Sequence, residues 1–305
     1  MTSPIFPHPH LLGIADLPAA ALETLLTRTA RFADHPDASA LHRGKTVVNL
    51  FYENSTRTRT SFEMAAKKLG AEVINIDIAT SSVQKGESLA DTVRTINAMG
   101  VDAIIIRHET SGAAAEVARL VDCAVINAGD GANEHPTQAL LDAFTMQQRK
   151  GSLANLTVAL CGDIRHSRVA RSNLHFLSKL GAKVRIIAPE AMMPDAMDMP
   201  LVGRYSDLTT GIKEVDVVMM LRIQFERMDS AEQPDLARYQ AAYRLDHAKL
   251  AAAKPDVIVM HPGPLNRMVE ITDAVADDPQ HSVILQQVRN GVSARMAVLD
   301  LLLTN

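Results

Sequence analysis

The sequence predicts an α/β protein of two domains, each a parallel sheet flanked by helices on both faces. Three observations lead there. Short runs rich in Val and Ile alternate with segments of helical periodicity along the chain. Several helical segments close on a glycine, a common helix stop. The alternation restarts near residues 148–153, around KGSL, and 305 residues exceed one ordinary core but suit two.

The strands expected in the first half are KTVVNLFY (45–52), EVINI (72–76), DAIIIR (102–107) and CAVINA (123–128). Between and after them come helices at 61–70, 88–100, 113–121 and 136–151. In the second half LTVALCG (156–162), KVRIIA (183–188), EVDVVMML (214–221) and DVIVM (256–260) read as strands, and 168–181 as a helix. The Met/Pro/Asp-rich stretch 189–200 reads as a loop. The last helix, about 282–303, has an apolar face of Val283, Leu285, Val288, Val292, Met296, Leu299 and Leu303. Strand–helix alternation of this kind gives parallel sheets covered on both sides. Spacing alone leaves the strand order open.

Composition narrows the function. Hydrophobic residues make up 47% and charged residues 22%, an ordinary globular balance that argues against disorder. The net charge of −4 carries no positive field for nucleic acid, so an anion site has to come from local arginines. Cys123 and Cys161 sit in apolar strand-like runs, which fits a reduced cytoplasmic protein better than a disulfide scaffold. No CxxC or HExxH spacing occurs, so neither metal nor cofactor is expected. The first residues lack the basic and apolar regions of a signal peptide, and no apolar run reaches the roughly 20 residues of a membrane span.

Open α/β sheets bind ligands beyond the C-terminal ends of their strands, and chemistry-bearing residues collect there. After the first strand comes Glu53-Asn54-Ser55-Thr56-Arg57-Thr58-Arg59. Ser55 or Thr56 can cap a helix whose N-terminus suits a phosphate, and a bound anion would relieve the unfavourable arginines in its first turn. A plain helix start with exposed arginines is the alternative. Arg107 closes another strand, and by itself reads better as a surface residue. After CAVINA, a glycine turn leads to His135-Pro136-Thr137-Gln138, with Pro136 suited to the first helical position. His135 is then a ligand or a capping residue. Ser81–Glu87 is a polar loop bearing Lys85, which by itself reads better as an ordinary solvated turn. In the second half Gly162–Arg168, Leu221–Gln224 and the stiff turn His261-Pro262-Gly263-Pro264-Leu265 each follow a strand. Neither GxGxxG nor GxxxxGK[ST] is present, which argues against a nucleotide-binding protein. Together these strand ends imply a ligand with several negative charges.

Ser55-Thr56-Arg57-Thr58-Arg59 and His135-Pro136-Thr137-Gln138 resemble the phosphate-binding STRTR and the HPxQ motifs of the aspartate/ornithine carbamoyltransferase family, and the likeness runs from about residue 5 to 303. HPGPLNR (261–267), SSVQKGE and LRIQFER are similar to its aspartate branch; the ornithine branch has an HCLP turn where this chain has Pro262. The resemblance implies transfer of the carbamoyl group of carbamoyl phosphate to the amino group of L-aspartate, early in pyrimidine biosynthesis. It implies a carbamoyl phosphate-binding domain at 1–148, completed by the C-terminal helix at about 288–305, and an aspartate-binding domain at 149–287.

It also implies roles. Ser55, Thr56, Arg57, Thr58 and Ser82 (or its neighbour Ser81) bind the phosphate. Arg107 bridges phosphate and carbonyl oxygen, and Thr58, Arg107 and His135 polarise that carbonyl. Gln138 and the backbone of Gly263, Pro264 and Leu265 hold the carbamoyl NH2. Arg168, Arg222 and Gln224 bind the aspartate carboxylates. Lys85 arrives from a neighbouring subunit, so a homotrimer with shared sites is expected. A regulatory or dihydroorotase-like partner chain is compatible with the family, and no nucleic-acid or membrane partner is expected. Two rival readings are another carbamoyltransferase with an ornithine-like acceptor, and a catalytically dead anion-binding subunit. The arginines at 168 and 222 argue against the first, and the intact set of charged residues against the second.

Overall fold

The computed structural model describes residues 6–78, 86–195, 203–228 and 233–304. The chain forms two compact units, one made of 1–141 and 289–305, the other of 142–288.

The first unit opens with helix α1 (Ala19–Asp34), followed by β1 (Thr46–Phe51), α2 (Thr56–Leu69), β2 (Glu72–Asp77), α3 (Leu89–Ala98), β3 (Ala103–His108), α4 (Ala113–Ala118), β4 (Ala124–Asp130) and the start of α5 (Pro136–Lys150). Its four strands are all parallel, in the order β2-β1-β3-β4. Side chains alternate across the sheet. Val48, Leu50, Ile104 and Ile106 form one buried cluster with Val93 and Ile96 of α3 and Ala114 and Val117 of α4. Phe62, Ala65 and Leu69 of α2 are buried against β1 and β2. Helices thus cover both faces, as the alternation requires.

The second unit contains β5 (Thr157–Cys161), α6 (Arg168–Lys179), β6 (Lys183–Ile187), β7 (Gly203–Tyr205), α7 (Leu208–Gly211), β8 (Val217–Met220), α8 (Leu236–Tyr243), α9 (His247–Leu250), β9 (Ile258–Met260), α10 (Asp273–Ala276) and the start of α11 (Ile284–Leu303). Its five strands are also parallel, ordered β7-β6-β5-β8-β9. In both sheets the chain moves outward to one side, then returns past its first strand and builds the other side. The reversal falls between β1 and β3 in the first sheet and between β5 and β8 in the second. At such a reversal consecutive crossover helices leave toward opposite faces and open a crevice at the strand ends.

The fold class stands as read, and several details differ. The helix read at 61–70 begins five residues earlier, because Ser55 caps it: its Oγ accepts the Thr58 N–H at 3.3 Å. The helix read at 113–121 ends at Ala118. The stretch 189–200 holds a 3-10 turn at Glu190–Met192; residues 196–200 lie outside the described residues. The apolar face assigned to the last helix is in part misplaced: Leu285 is 81% exposed and Val288 50%. The buried stripe runs through Ile284, Gln287, Asn290, Gly291 and Ala294. Polar residues occupy inward positions there, so apolar spacing points to the wrong side. Further along, Asp300 accepts hydrogen bonds from Arg28 and from His42 Nε2 (2.8 Å), tying the end of α11 into the first unit. Helix α1 and the short helices of the second unit had no counterpart in the sequence reading.

Both cysteines are buried and free. Burial pushes the Cys123 thiol up to about 11 and raises Cys161 as well. Among the described residues no helix is long and apolar enough to cross a membrane, and no group of three or more His, Cys, Asp or Glu is placed to hold a metal ion.

Candidate active site

In the first unit the crevice lies at the C-terminal ends of β1 and β3. The β1–β3 ladder continues past β1, with the Tyr52 N–H donating to the Arg107 carbonyl at 2.9 Å. This register sets Glu53 beside Arg107. Arg107 Nη2 donates to Glu53 Oε1 at 2.7 Å, and Nη1 to the Ala128 carbonyl at 3.5 Å. The Arg107 side chain is only 12% exposed. Three residues after Glu53 the chain enters α2, whose first turn carries Thr56, Arg57 and Thr58. Thr58 is buried, whereas Thr56 and Arg57 are exposed. Ser61 Oγ donates to the Arg57 and Thr58 carbonyls, at 2.7 and 3.0 Å, which steadies that turn. An N-terminal turn with no acidic residue and with an arginine at its second position suits an anion, since free N–H groups and positive charge meet there.

The next strand along, β4, ends in a turn built around buried Asp130. Asp130 Oδ1 accepts from Asn127 Nδ2 (2.7 Å) and from the Glu134 N–H (3.1 Å); Oδ2 accepts from the Gly112 N–H (2.7 Å) and Asn133 Nδ2 (3.0 Å). Gly131 turns the chain at φ +48°, where a Cβ would stand 2.4 Å from Ser111 Oγ and within 2.9 Å of backbone. Glu134 in turn accepts the Ile14 and Ala15 N–H groups at 2.9 and 3.0 Å. This fixed turn delivers His135 just before α5 and Gln138 in its first turn, both buried.

In the second unit the crevice lies at the ends of β5 and β8. Gly162 leaves β5 at φ +122°, and a Cβ there would meet the Leu221 carbonyl oxygen at 2.4 Å; only glycine lets the two strand ends come this close. Buried Asp163 then links the two loops. Its Oδ1 accepts the His166 N–H at 3.2 Å and lies 2.9 Å from His166 Nδ1, while Oδ2 accepts the Gln224 N–H at 3.1 Å. Ser167 caps α6 through the Ala170 N–H (3.1 Å), and Arg168 is the buried first residue of that helix.

Arg222 Nη2 donates to Gln224 Oε1 at 3.0 Å, and Nη1 to Glu226 Oε2 at 3.0 Å. Nη2 also bonds Glu226 Oε1, so the carboxylate grips the guanidinium at both nitrogens. Burial pushes the Glu226 carboxyl up, but its bonds to Arg222 outweigh this and hold it below the usual carboxylate range. Beyond β9, the turn 261–267 places Gly263, Pro264 and Leu265, with a cis peptide between Gly263 and Pro264.

The structure therefore groups the sequence-derived residues in two sets. Ser55–Thr58, Arg107, His135 and Gln138 belong to the first unit. Arg168, Arg222, Gln224 and the turn Gly263–Leu265 belong to the second. Ser81, Ser82 and Lys85 lie outside the described residues. The carboxylates that orient these cations and loops, Glu53, Asp163 and Glu226, were not singled out from sequence. Glu226 pairs locally with Arg222, four residues before it, whereas the partners of Glu53 and Asp163 follow only from strand order.

A pair of reversal-point crevices, one with a helix N-terminus and arginines, the other with arginines and an amide, is an arrangement chemically suited to small multiply charged anions. Two family models cover nearly all of the chain: residues 9–148 match the aspartate/ornithine carbamoyltransferase carbamoyl-P binding domain, and residues 154–302 its Asp/Orn binding domain. The chain belongs to the aspartate/ornithine carbamoyltransferase family.

Within that family it is 55% identical over 301 residues to an aspartate carbamoyltransferase catalytic subunit of Rhodospirillum centenum, covering 97% of this chain and 95% of that one. It also resembles a crystal structure of the Trypanosoma cruzi aspartate transcarbamoylase in complex with carbamoyl phosphate, with TM-score 0.84, 31% identity and 95% of each chain covered. An ornithine carbamoyltransferase from Pyrococcus furiosus matches with TM-score 0.85 at 29% identity, over 97% of each chain. The fold is thus common to both acceptor branches, and the acceptor has to be argued from residues.

Proposed function

We propose that this chain has aspartate carbamoyltransferase activity, moving the carbamoyl group of carbamoyl phosphate to the amino group of L-aspartate and giving N-carbamoyl-L-aspartate and phosphate, an early step of pyrimidine biosynthesis. The observation that carries the acceptor is the Arg222–Gln224–Glu226 arrangement together with Arg168. A dicarboxylate needs cationic forks held in place, whereas the cationic side chain of ornithine would want a carboxylate facing it. In this site the acidic Glu226 is occupied by Arg222. The first unit takes carbamoyl phosphate. The capped α2 terminus with Ser55, Thr56, Arg57 and Thr58 receives the phosphate, and Arg107 bridges phosphate and carbonyl oxygen.

The chemistry needs no covalent enzyme intermediate. Phosphate is already a good leaving group, so the neutral aspartate amine attacks the carbonyl carbon directly. Negative charge grows on the carbonyl oxygen, where Thr58, Arg107 and His135 donate, and the departing phosphate takes the amine proton. Gln138 and the backbone of Gly263, Pro264 and Leu265 hold the carbamoyl NH2. Catalysis is then positioning and electrostatic stabilisation. Ser82 and Lys85 complete the site from a neighbouring subunit of a cytoplasmic homotrimer, and a regulatory or dihydroorotase-like chain is compatible with that assembly. Mixing Lys85→Ala chains with Arg57→Ala chains tests the sharing: activity that returns in the mixture supports it, and a mixture as inactive as its parents counts against it.

A further inference from the structure

The turn after β9 is held from below by buried polar groups that the chemistry above does not use. Glu270 is fully buried, and its Oε1 accepts the Asn266 N–H at 2.6 Å and lies 2.9 Å from His261 Nε2. The Gly263 N–H donates to His261 Nδ1 at 2.8 Å. Since Nδ1 is the acceptor, the ring hydrogen sits on Nε2 and is given to Glu270; the bonding pattern assigns the tautomer. The His261 N–H donates to Gln287 Oε1 at 2.9 Å, and Gln287 Nε2 donates to Asp142 Oδ1 at 2.8 Å. Asp142 Oδ2 accepts from Asn173 Nδ2 at 2.9 Å. The backbone amides of residues 261, 263 and 266 are thus each fixed from beneath.

Buried networks of this kind are poor sources of stability, because well-packed apolar residues often do as well or better. A turn whose carbonyls must face a substrate at fixed distances gives this one a purpose. We propose that Glu270 is a positioning residue: acting through the His261 imidazole and the Asn266 amide, it sets the Gly263–Leu265 carbonyls that hold the carbamoyl NH2. The proposal rests on the function given above. Gln287 anchors the near end of the turn, and Glu270 the middle and far end.

The test combines amide hydrogen exchange of the free full-length protein with steady-state kinetics. Glu270→Ala is expected to speed exchange across residues 261–268 by about tenfold or more, with β5 and β8 unchanged. It is expected to lower kcat/KM for carbamoyl phosphate on the order of 10²-fold, since small misplacements are that damaging. Glu270→Gln keeps an oxygen in the Oε1 place and restores both readouts to within a few fold of wild type, by the same reasoning.

His261→Asn keeps an acceptor for the Gly263 N–H but loses the link to Glu270. Its defect should match that of Glu270→Ala, and the double variant should be no worse than either single one. It also serves where Glu270→Ala fails to fold. Native exchange across 261–268 in Glu270→Ala or His261→Asn, an unchanged kcat/KM, additive effects in the double variant, or a Glu270→Gln as impaired as Glu270→Ala would each overturn the proposal. Wild-type protein that transfers no carbamoyl group would remove the role given to the turn, and the exchange data would still decide whether Glu270 sets it.

Discussion

Arg107 at the end of β3 and Glu53 just beyond β1 are joined by a 2.7 Å ion pair, and the parallel β1–β3 register brings them together. The guanidinium is therefore aimed before any substrate arrives. Replacing Arg107 by Ala should lower kcat on the order of 10²–10³-fold, the usual effect of removing one preorganised donor. Arg107→Lys should recover little, because an ammonium cannot span two oxygens as a guanidinium does. Initial rates at saturating carbamoyl phosphate and aspartate check this. Near-normal turnover in either variant would take Arg107 off the carbonyl.

At the α2 terminus two effects separate. Ser55→Ala removes the cap and should destabilise by roughly 1 kcal/mol, visible as a lower urea midpoint. Arg57→Ala leaves the cap intact, so its stability should stay close to wild type while phosphate affinity and turnover fall. Isothermal titration with inorganic phosphate should show weaker binding in both variants, and the urea midpoint distinguishes them, falling for Ser55→Ala alone.

His135 is buried at the mouth of α5, on a turn fixed by Asp130 and Glu134. His135→Ala should lower kcat more than it weakens carbamoyl phosphate binding. A loss confined to affinity would mean that it contacts the ground state alone.

The Arg222–Glu226 pair gives a pH dependence of known sign. The Glu226 carboxyl is held below its usual range in the folded chain. Its contribution is then present above the unfolded value of roughly 4.3 and lost as pH falls through the lower folded value. Glu226→Gln should be slightly less stable than wild type at pH 7, by less than about 1 kcal/mol for a pair this exposed, and the difference should vanish in strong acid. The same variant should raise KM for aspartate at neutral pH. A stability difference that grows toward acid would reverse the assignment.

Much of this was legible in the sequence, for physical reasons. Strand ends could be read because apolar β-branched runs stop at residues such as Arg107 and Gly162, and ligand sites in open sheets gather at such ends. What the pattern could not carry was strand order, and with it the partners of the arginines. Glu53 is far from Arg107 in sequence, and Asp163 is far from Gln224; only the reversals between β1 and β3 and between β5 and β8 make them neighbours. The apolar spacing fails on the first turns of the last helix because Gln287 faces inward for its hydrogen bonds and Asn290 is buried beside it on the same face, choices that hydrophobic spacing does not register. Glu270 was missed for a related reason: nothing local to it hints that His261 needs a carboxylate beneath it.

The central claim is the acceptor, and the measurement that bears on it most directly is carbamoyl phosphate consumption by the purified protein with L-aspartate or L-ornithine supplied separately. N-carbamoyl-L-aspartate and phosphate are expected with aspartate, and no product with ornithine. Citrulline formed from ornithine would contradict the role of Arg168, Arg222 and Gln224, and no product from either would contradict the catalytic reading as a whole.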